Sequence, residues 1–501
     1  MHPAWPGRVP GCGVPHQSRV LHYRRMTITD DDLCLLPATR LAGMLRAREV
    51  SARELLAAHL ARVDRLNPTV NALVTLDVEG ATAAAAAADD ALAHGALVGP
   101  LHGLPVAHKD THLTAGMRTT FGSPVHRDLV PEEDELVVAR MRAAGAVRVG
   151  KTNVPEFAAG SHTTNTLFGP TRNPHDSSRS AGGSSGGAAA ALATGMVALA
   201  EGSDMGGSLR NPAAFCGVVG LRPSPGRVPT FPAARGFSTL SVQGPLGRTV
   251  ADVALGLSVL AGPDPRAPLS LPEHGASFTP PVREDLAGLR VAWAPDLGGR
   301  IPVDPAVREA LAGVPDLVLG LGGGLEEACP DLDEADEVFT VLRAWLFAAA
   351  LGPVVDAHPD LVKATIHGNV AAGRRLSGED LARAEAAHTR LHVAVAEFFT
   401  RYDVLLAPTT QVVPFDVDTE YPTVVDGVTQ ADYLGWMRSC TLISATGVPA
   451  LSLPAGRTPE GLPVGLQVIG APQADRQVLE VAHALEHGLG AGSAAARVDP
   501  A

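Results

Sequence analysis

The sequence predicts an α/β protein in which one sheet is built from both ends of the chain and a mostly helical middle is inserted as a cap. Three observations predict it. Short apolar runs alternate with helical patterns over roughly the first 260 residues, strand-like runs return after residue 400, and the stretch between is helical in pattern and poor in glycine-rich motifs. A chain of 501 residues that is 46% hydrophobic has enough apolar surface to bury a large core.

Residues 1–25 are basic, hold no acid and no continuous apolar stretch, so they read as a disordered leader or an over-extended translation start rather than a secretory signal. The fold is expected to begin near Met26. Amphipathic helices follow near 39–48 and 51–66, the second opened by the capping box Ser51-x-x-Glu54 and stopped at Asn67-Pro68. A third helix is expected over 81–94. LHGLPVAHKD (101–110) is an apolar strand ending on Lys109, ahead of a Gly/Thr-rich loop through Ser123. A helix at 133–144 and a short buried strand at 146–150 continue the alternation, with further helices at 186–195 and 249–261. From Gly262 to about Pro280 the chain turns proline-rich and leaves the core. Ser377-x-x-Asp380 opens a long helical segment to about Arg401; strands are expected at 403–407, 450–453 and 464–469, and a last helix at 475–487. The expected organisation is one domain over 26–490, with its core from 26–262 and 400–490, a cap over roughly 263–399, and a tail at 491–501.

A net charge of −13 and a pI near 5.7 argue against a general binder of nucleic acid or anionic membranes and favour small-molecule chemistry. The five cysteines (Cys12, Cys34, Cys216, Cys329, Cys440) are scattered without a CxxC, which signals neither a disulfide framework nor a zinc site and fits a reducing, cytoplasmic compartment. The longest apolar run, 344–355, has 12 residues, short of the roughly 20 that span a bilayer, so no membrane helix is expected.

The chemistry is concentrated in GGSSGGAAAALATGMVALAEGSDMGGSLRNPA (182–213), where two glycine-flanked serines, Ser184 and Ser208, stand 24 positions apart with Arg210 just beyond. Glycines beside a serine permit unusual backbone angles and leave N–H groups free, which suits a hydroxyl nucleophile next to an oxyanion hole. Lysine usage points the same way. Of 40 Lys and Arg residues only Lys109, Lys151 and Lys363 are lysine, and only lysine can lose its proton when buried.

Three motifs compete for the centre. Gly145 to Thr152 matches GxxxxGK[ST], but AVRV is a strand former where a flexible phosphate loop is needed, and Pro155 interrupts the helix that should follow; Lys151 then reads as a polar residue at a sheet edge. Gly182 to Gly186 matches the GxSxG nucleophile elbow, yet the preceding residues are loop-like, and the later histidines (His358, His367, His388, His392, His483, His487) lie in helical pattern. The third reading is a Ser–Ser–Lys relay, with one serine as nucleophile, one as proton shuttle and a neutral lysine as base. On the residues alone, glycine-flanked serines are more often turn or cap residues, and either could be the nucleophile.

With LHGLPVAHKD, GKTNVPEFAAG (150–160), FGPTRNP (168–174), GGSSGG, GSDMGGSLRNPAAFCGVVGLRPSPGRVP (202–229), DVLLAPTT (403–410), TGVPALSLPAG (446–456) and GLPVGLQVIG (461–470) in view, the chain resembles the amidase signature family over about 26–260 and 400–490. The resemblance implies a single large mixed, twisted sheet flanked by helices on both faces. It implies Ser208 as nucleophile, Ser184 as bridging serine on a cis bond after Gly183, Lys109 as base, and an oxyanion hole from the N–H groups of Met205, Gly206, Gly207 and Ser208. Ala181, His175 and Arg222 depart from the family pattern, Arg222 standing where lysine is frequent.

The implied function is hydrolysis of a small-molecule carboxylic amide to carboxylate and ammonia or amine through an acyl-Ser208 intermediate, with no metal or organic cofactor, no direct nucleic-acid partner and no membrane. A homodimer is compatible with it. The alternative is the A subunit of a glutamine-dependent aminoacyl-tRNA amidotransferase, which the acidic charge disfavours unless a partner holds the tRNA. A non-enzymatic binder is disfavoured because both serines and Lys109 are present. Asp204 and Arg210 read either as orienting the nucleophile loop or as a structural ion pair, Asp110 as a hydrogen-bond acceptor, Cys216 as a small hydrophobe, and Asn153 and Glu156 as scaffold. The cap and the residues near Trp436 are expected to shape the acyl pocket, with Trp345, Phe347 and Trp436 themselves as core residues.

Overall fold

The computed structural model describes residues 29–490; the expected leader at 1–25 and tail at 491–501 lie outside the described residues. In chain order its strands are β1 (Leu73–Leu76), β2 (Pro105–Lys109), β3 (Val147–Thr152), β4 (Arg172–Asn173), β5 (Asp176–Ser180), β6 (Leu199–Asp204), β7 (Val219–Arg222), β8 (Val242–Gly247), β9 (Arg290–Trp293), β10 (Gly324–Glu327), β11 (Val404–Pro408), β12 (Val424–Val425), β13 (Val428–Thr429), β14 (Ala450–Arg457) and β15 (Pro463–Ile469). Eleven of them form one sheet in the order β1-β3-β2-β6-β8-β7-β14-β15-β11-β9-β10, while β4 with β5 and β12 with β13 make separate two-stranded ribbons. The sheet is mixed: β3, β2 and β6 run parallel, β6, β8, β7, β14, β15 and β11 are successively antiparallel, and β11, β9 and β10 are parallel again.

Helices cover both faces. Gly202 of β6 faces Ser185 and Leu209, beside the paired helices Gly186–Ala193 and Arg210–Cys216, whereas Leu199 lies against Gly256 of the helix Val250–Leu260, which pairs with Asp475–Gly488. Residues an odd number apart on a strand point to opposite faces, so β6 is buried from both sides.

Three expectations change. The helix Ala52–Val70 runs through Pro68 rather than stopping before it: Asn67 Oδ1 accepts from the N–H groups of Ala72 and Leu73, and Asn71 at φ +54° closes the last turn. Lys151 is not at a sheet edge, since β3 lies between β1 and β2 and the side chain is fully buried. The stretch expected as a cap contributes β9 and β10 to the sheet. β10 (GLEE) is an edge strand whose acids discourage further pairing, so it carries no apolar signature. Strands β1, β6, β7 and β8 also lie where no strand was expected, β8 because VQGPLG holds two glycines and a proline.

The cap does hold the long helix Ala335–Ala357, which at 23 residues is long and apolar enough to cross a bilayer by length and composition. Here it packs along Ala364–Arg374, Gly378–Arg401 and Arg438–Thr446, with Val338, Phe339, Leu342 and Leu346 in the core.

Candidate active site

The parallel neighbours β2 and β6 end side by side and bring Lys109 next to Ser203 and Asp204, at the carboxyl ends of strands where open α/β sheets form their sites. Ser184 enters from the loop between β5 and the helix Gly186–Ala193, and Ser208 from the turn between β6 and the helix Arg210–Cys216. The Gly183–Ser184 peptide bond is cis. Lys109 Nζ donates to Ser184 Oγ at 2.8 Å and to Ser203 Oγ at 2.9 Å. Ser184, Ser203 and Ser208 line one cavity of about 140 Å³ with Met205 and Gly206.

Lys109 is completely buried, and loss of hydration lowers its ammonium pKa to about 7 although the Glu201 and Asp204 carboxylates pull the other way. A large share of the amine is therefore unprotonated near neutral pH. The strand end is fixed by Glu201, whose Oε1 accepts from Lys109 N–H at 3.0 Å and lies 3.2 Å from His108 Nδ1, while His112 Nδ1 lies against Oε2. Burial opposes ionisation of Glu201, but His112 and His108 hold its carboxyl well below the usual carboxylate range.

The loop carrying Ser208 is pinned by Asp204. Arg210 Nε and Nη2 donate to its two carboxylate oxygens at 3.0 and 2.9 Å, and Arg222 Nη1 donates to Oδ1 at 3.2 Å, all three side chains being fully buried. Burial works against that charge, yet the two guanidiniums keep Asp204 far below its ordinary pKa. Asp204 also accepts from Gly207 N–H at 2.8 Å and Leu209 N–H at 3.2 Å. The two sequence readings of Asp204 and Arg210 are thus one arrangement, an ion pair that orients the loop. It also alters the expected set of oxyanion donors. Gly207 N–H is spent on Asp204, whereas the N–H groups of Met205, Gly206 and Ser208 have no acceptor among the described residues. Gly207, at φ +115°, has a conformation that side chains disfavour, and a Cβ there would stand 2.6 Å from Asn211 Nδ2. Ser161 Oγ, which receives Asn211 Nδ2 at 2.9 Å, donates to Gly183 O at 2.6 Å and so ties the two serine loops together.

The other candidates sit as follows. Asp110 accepts from Thr120, Asn153 bonds Gly169 and Thr171, and Glu156 accepts from Ser123 Oγ and Lys363 N–H, all outside the reacting cluster. Cys216 is buried, which pushes its thiol pKa up. Lys151 donates to His112 O and Thr114 Oγ1, and Lys363 to Ala159 O; burial lowers both to about 8. Trp436 is core, stacked on Phe215, but Trp345, expected in the core, is exposed on the outer face of the helix Ala335–Ala357. Phe347 is buried but also walls the site: a cavity of about 480 Å³, lined by Phe121, Phe157, Val228, Leu346, Phe347 and Leu351 among others, adjoins the serine cavity and shares Ser203, Met205 and Phe347 with it. Phe121 and Phe157 both adopt left-handed backbone angles, φ +55° and +50°, with Phe157 N–H donating to Phe121 O at 2.7 Å. Sequence reasoning missed Ser203 and Glu201. The available signal was a lone acid inside the apolar run VALAEG, which has to find a partner when buried.

Comparison with known proteins gives a consistent set of likenesses. The sequence model of the Amidase family matches residues 54–479. An acylamidase of Rhodococcus erythropolis is 37% identical, the match covering 91% of this chain and 96% of that protein. The A subunit of the glutamyl-tRNA(Gln) amidotransferase of Acidothermus cellulolyticus is 36% identical, covering 91% and 94%. Among solved structures, a bacterial aryl acylamidase of the amidase signature family superposes with a TM-score of 0.84 at 27% identity, covering 91% of this chain and 98% of that one.

Proposed function

The chain belongs to the amidase signature family and is an amide hydrolase, and we propose that it acts as an acylamidase through a Ser208–Ser184–Lys109 relay. The observation that carries the relay is the 2.8 Å hydrogen bond from Lys109 Nζ to Ser184 Oγ inside a site that holds the lysine near pKa 7. Neutral Lys109 accepts the Ser184 proton as Ser184 takes that of Ser208, and Ser208 Oγ attacks the amide carbonyl carbon. The oxygen that becomes negative is met by the N–H groups of Met205, Gly206 and Ser208; one such donor is typically worth about 3–4 kcal/mol in the transition state. Ser184 passes its proton to the leaving nitrogen and is resupplied by Lys109 as the C–N bond breaks. Water, deprotonated by the same relay, then attacks the Ser208 ester and releases the carboxylate. The apolar cavity of about 480 Å³ favours a substrate with a sizeable apolar arm, aromatic or aliphatic.

The test is Ser208→Ala on a panel of anilides and primary amides. Hydrolysis should fall by at least about a thousandfold while the Tm stays within about 2 °C of the parent. Parent-like turnover in that variant would refute the relay. A second reading, the A subunit of a glutamine-dependent amidotransferase, is favoured by the Acidothermus relative. Glutamine hydrolysis that appears only with added partner subunits, together with no activity on anilides, would establish it instead.

A further inference from the structure

The serine cavity has a cation on its wall that the hydrolytic relay does not use. Arg343 lines it together with Ser184, Ser208 and Tyr433, and is only 5% exposed. No carboxylate pairs with it among the described residues; its nearest polar partners are neutral. Nη1 donates to Asn369 Oδ1 at 2.6 Å, Nη2 donates to the Tyr433 hydroxyl, and the guanidinium carbon lies 4.1 Å from the centre of the Phe347 ring. A guanidinium has five N–H donors, so these two bonds leave three uncommitted. The acid Glu156 is taken by Ser123 Oγ and Lys363 N–H, and Lys363, half-buried, is a second cation close enough to feel Arg343.

Tyr433 completes the donor set. Its hydroxyl oxygen accepts from Arg343 Nη2 and, at 2.9 Å, from Asn369 Nδ2. Both lone pairs are then occupied, and the phenolic proton is left to donate elsewhere. Tyr433 lines the same cavity, so a guanidinium with uncommitted N–H groups and a phenolic O–H both border a space that, among the described residues, holds no anion of the protein's own. Burying a guanidinium without a counter-charge is costly, and a planar carboxylate is the group that fits its fork.

We propose that the preferred substrate is an amide that carries a carboxylate near the scissile bond, bound by Arg343 and Tyr433 while its apolar arm fills the larger cavity. This rests on the Ser208 reading above. Arg343, Tyr433 and Ser208 line the same cavity of about 140 Å³, so the carboxylate stands close to the amide. It sits either on the amine half, as in an N-acyl amino acid, or on the acyl half, as in the monoamide of a short dicarboxylic acid.

Two matched pairs separate these. N-benzoylglycine is compared with N-benzoylpropylamine, and the monoanilide of succinic acid with pentananilide. In the parent enzyme, kcat/KM for one anionic member should exceed that of its neutral partner at least tenfold, the discrimination expected of a charge-assisted contact. That ratio should fall at least tenfold in Arg343→Met, through KM more than kcat, and recover in part in Arg343→Lys. Tyr433→Phe, which keeps the ring, should lower the same ratio and so provides a reading if Arg343→Met fails to fold. A ratio near one in the parent for both pairs, or one unchanged by Arg343→Met and Tyr433→Phe, would overturn the inference while leaving neutral-amide hydrolysis, and hence the relay, standing. Calorimetric binding of both anionic amides to Ser208→Ala and to Ser208→Ala/Arg343→Met reads the site without turnover. Tighter binding to the first by at least tenfold for either amide supports the inference even if no amide is hydrolysed, and equal binding overturns it.

Discussion

At the scale of single residues, Lys109 ties protonation, activity and stability together. In the proposed relay its amine has to be neutral to accept a proton, and burial lowers its pKa to about 7, so kcat/KM should rise with pH through about 7 and level off above. A profile flat from pH 5.5 to 9 would contradict Lys109 as the base. Lys109→Arg keeps the charge but cannot lose a proton, so kcat should fall at least about a hundredfold with the fold retained. The same depressed pKa has a sign in stability. Below pH 7 both folded and unfolded states hold the proton and the cost of burying the charge is full; between about 7 and 10.5 the unfolded chain binds more protons, so raising the pH favours the folded state. Lys109→Met lacks this cost, and its Tm relative to the parent should be highest below pH 7 and decline toward pH 10, as thermal melts across that range would record. Lys109 was legible as the candidate base because arginine has displaced lysine nearly everywhere else. Its partner Ser203 was not, since nothing in GSDMGGS marks the first serine as pointing at an amine rather than at solvent.

At the scale of the element, the turn from Asp204 to Leu209 that carries the proposed nucleophile is held by charge as well as by the burial of Leu209. One carboxylate organises two backbone N–H groups and two guanidiniums, and removing a partner from such a buried cluster typically costs about 3–5 kcal/mol. Asp204→Asn should therefore lower both Tm and kcat, because Gly207 N–H and the arginines lose the charge that fixes the three proposed oxyanion donors. Gly207→Ala acts on the same turn by sterics: its Cβ would meet Asn211 and Cys440 within 2.7 Å in a left-handed conformation, a strain of about 1–3 kcal/mol. Activity should fall more than stability, and a variant with parent-like kcat would show that the turn tolerates displacement. The glycines made this turn legible. Which N–H groups it leaves free was not, because a side-chain acceptor three residues upstream removes Gly207 from the set, and spacing alone does not distinguish a donor aimed at substrate from one aimed at Asp204. Helices were read well where caps marked them, as at Ser51 and Ser377, whose side chains do close their capping boxes. The strands that carry the chemistry were read less well, because β6 and β8 are buried on both faces and use glycine, proline and a paired acid where alternation would have shown.

At the scale of the molecule, the sheet joins distant parts of the chain so that the site cannot be assembled from the first half alone. β7, the last strand of the N-terminal portion of the sheet, pairs with β14, and the helix behind Ser208 packs on β14 and β15. Arg210 spans the same seam, with Nη1 donating to Gln467 Oε1 at 2.6 Å and Nη2 to Ser444 Oγ at 2.6 Å while it holds Asp204. A chain ended after residue 262 would keep Lys109, Ser184 and Ser208 but expose the full edge of β7 and leave Arg210 buried on one side only. An unpaired central edge is a template for association, and a guanidinium stripped of two of its partners retains its desolvation cost without the compensating bonds. The truncated chain should therefore aggregate or show no sigmoidal urea transition, whereas the full chain should lose circular dichroism and amidase activity in one coincident step. A fragment 26–262 that unfolds cooperatively, or a full chain whose activity disappears well before its helical signal, would instead mean that the two ends of the chain fold as separate units and that the seam at Arg210 contributes little to holding the site.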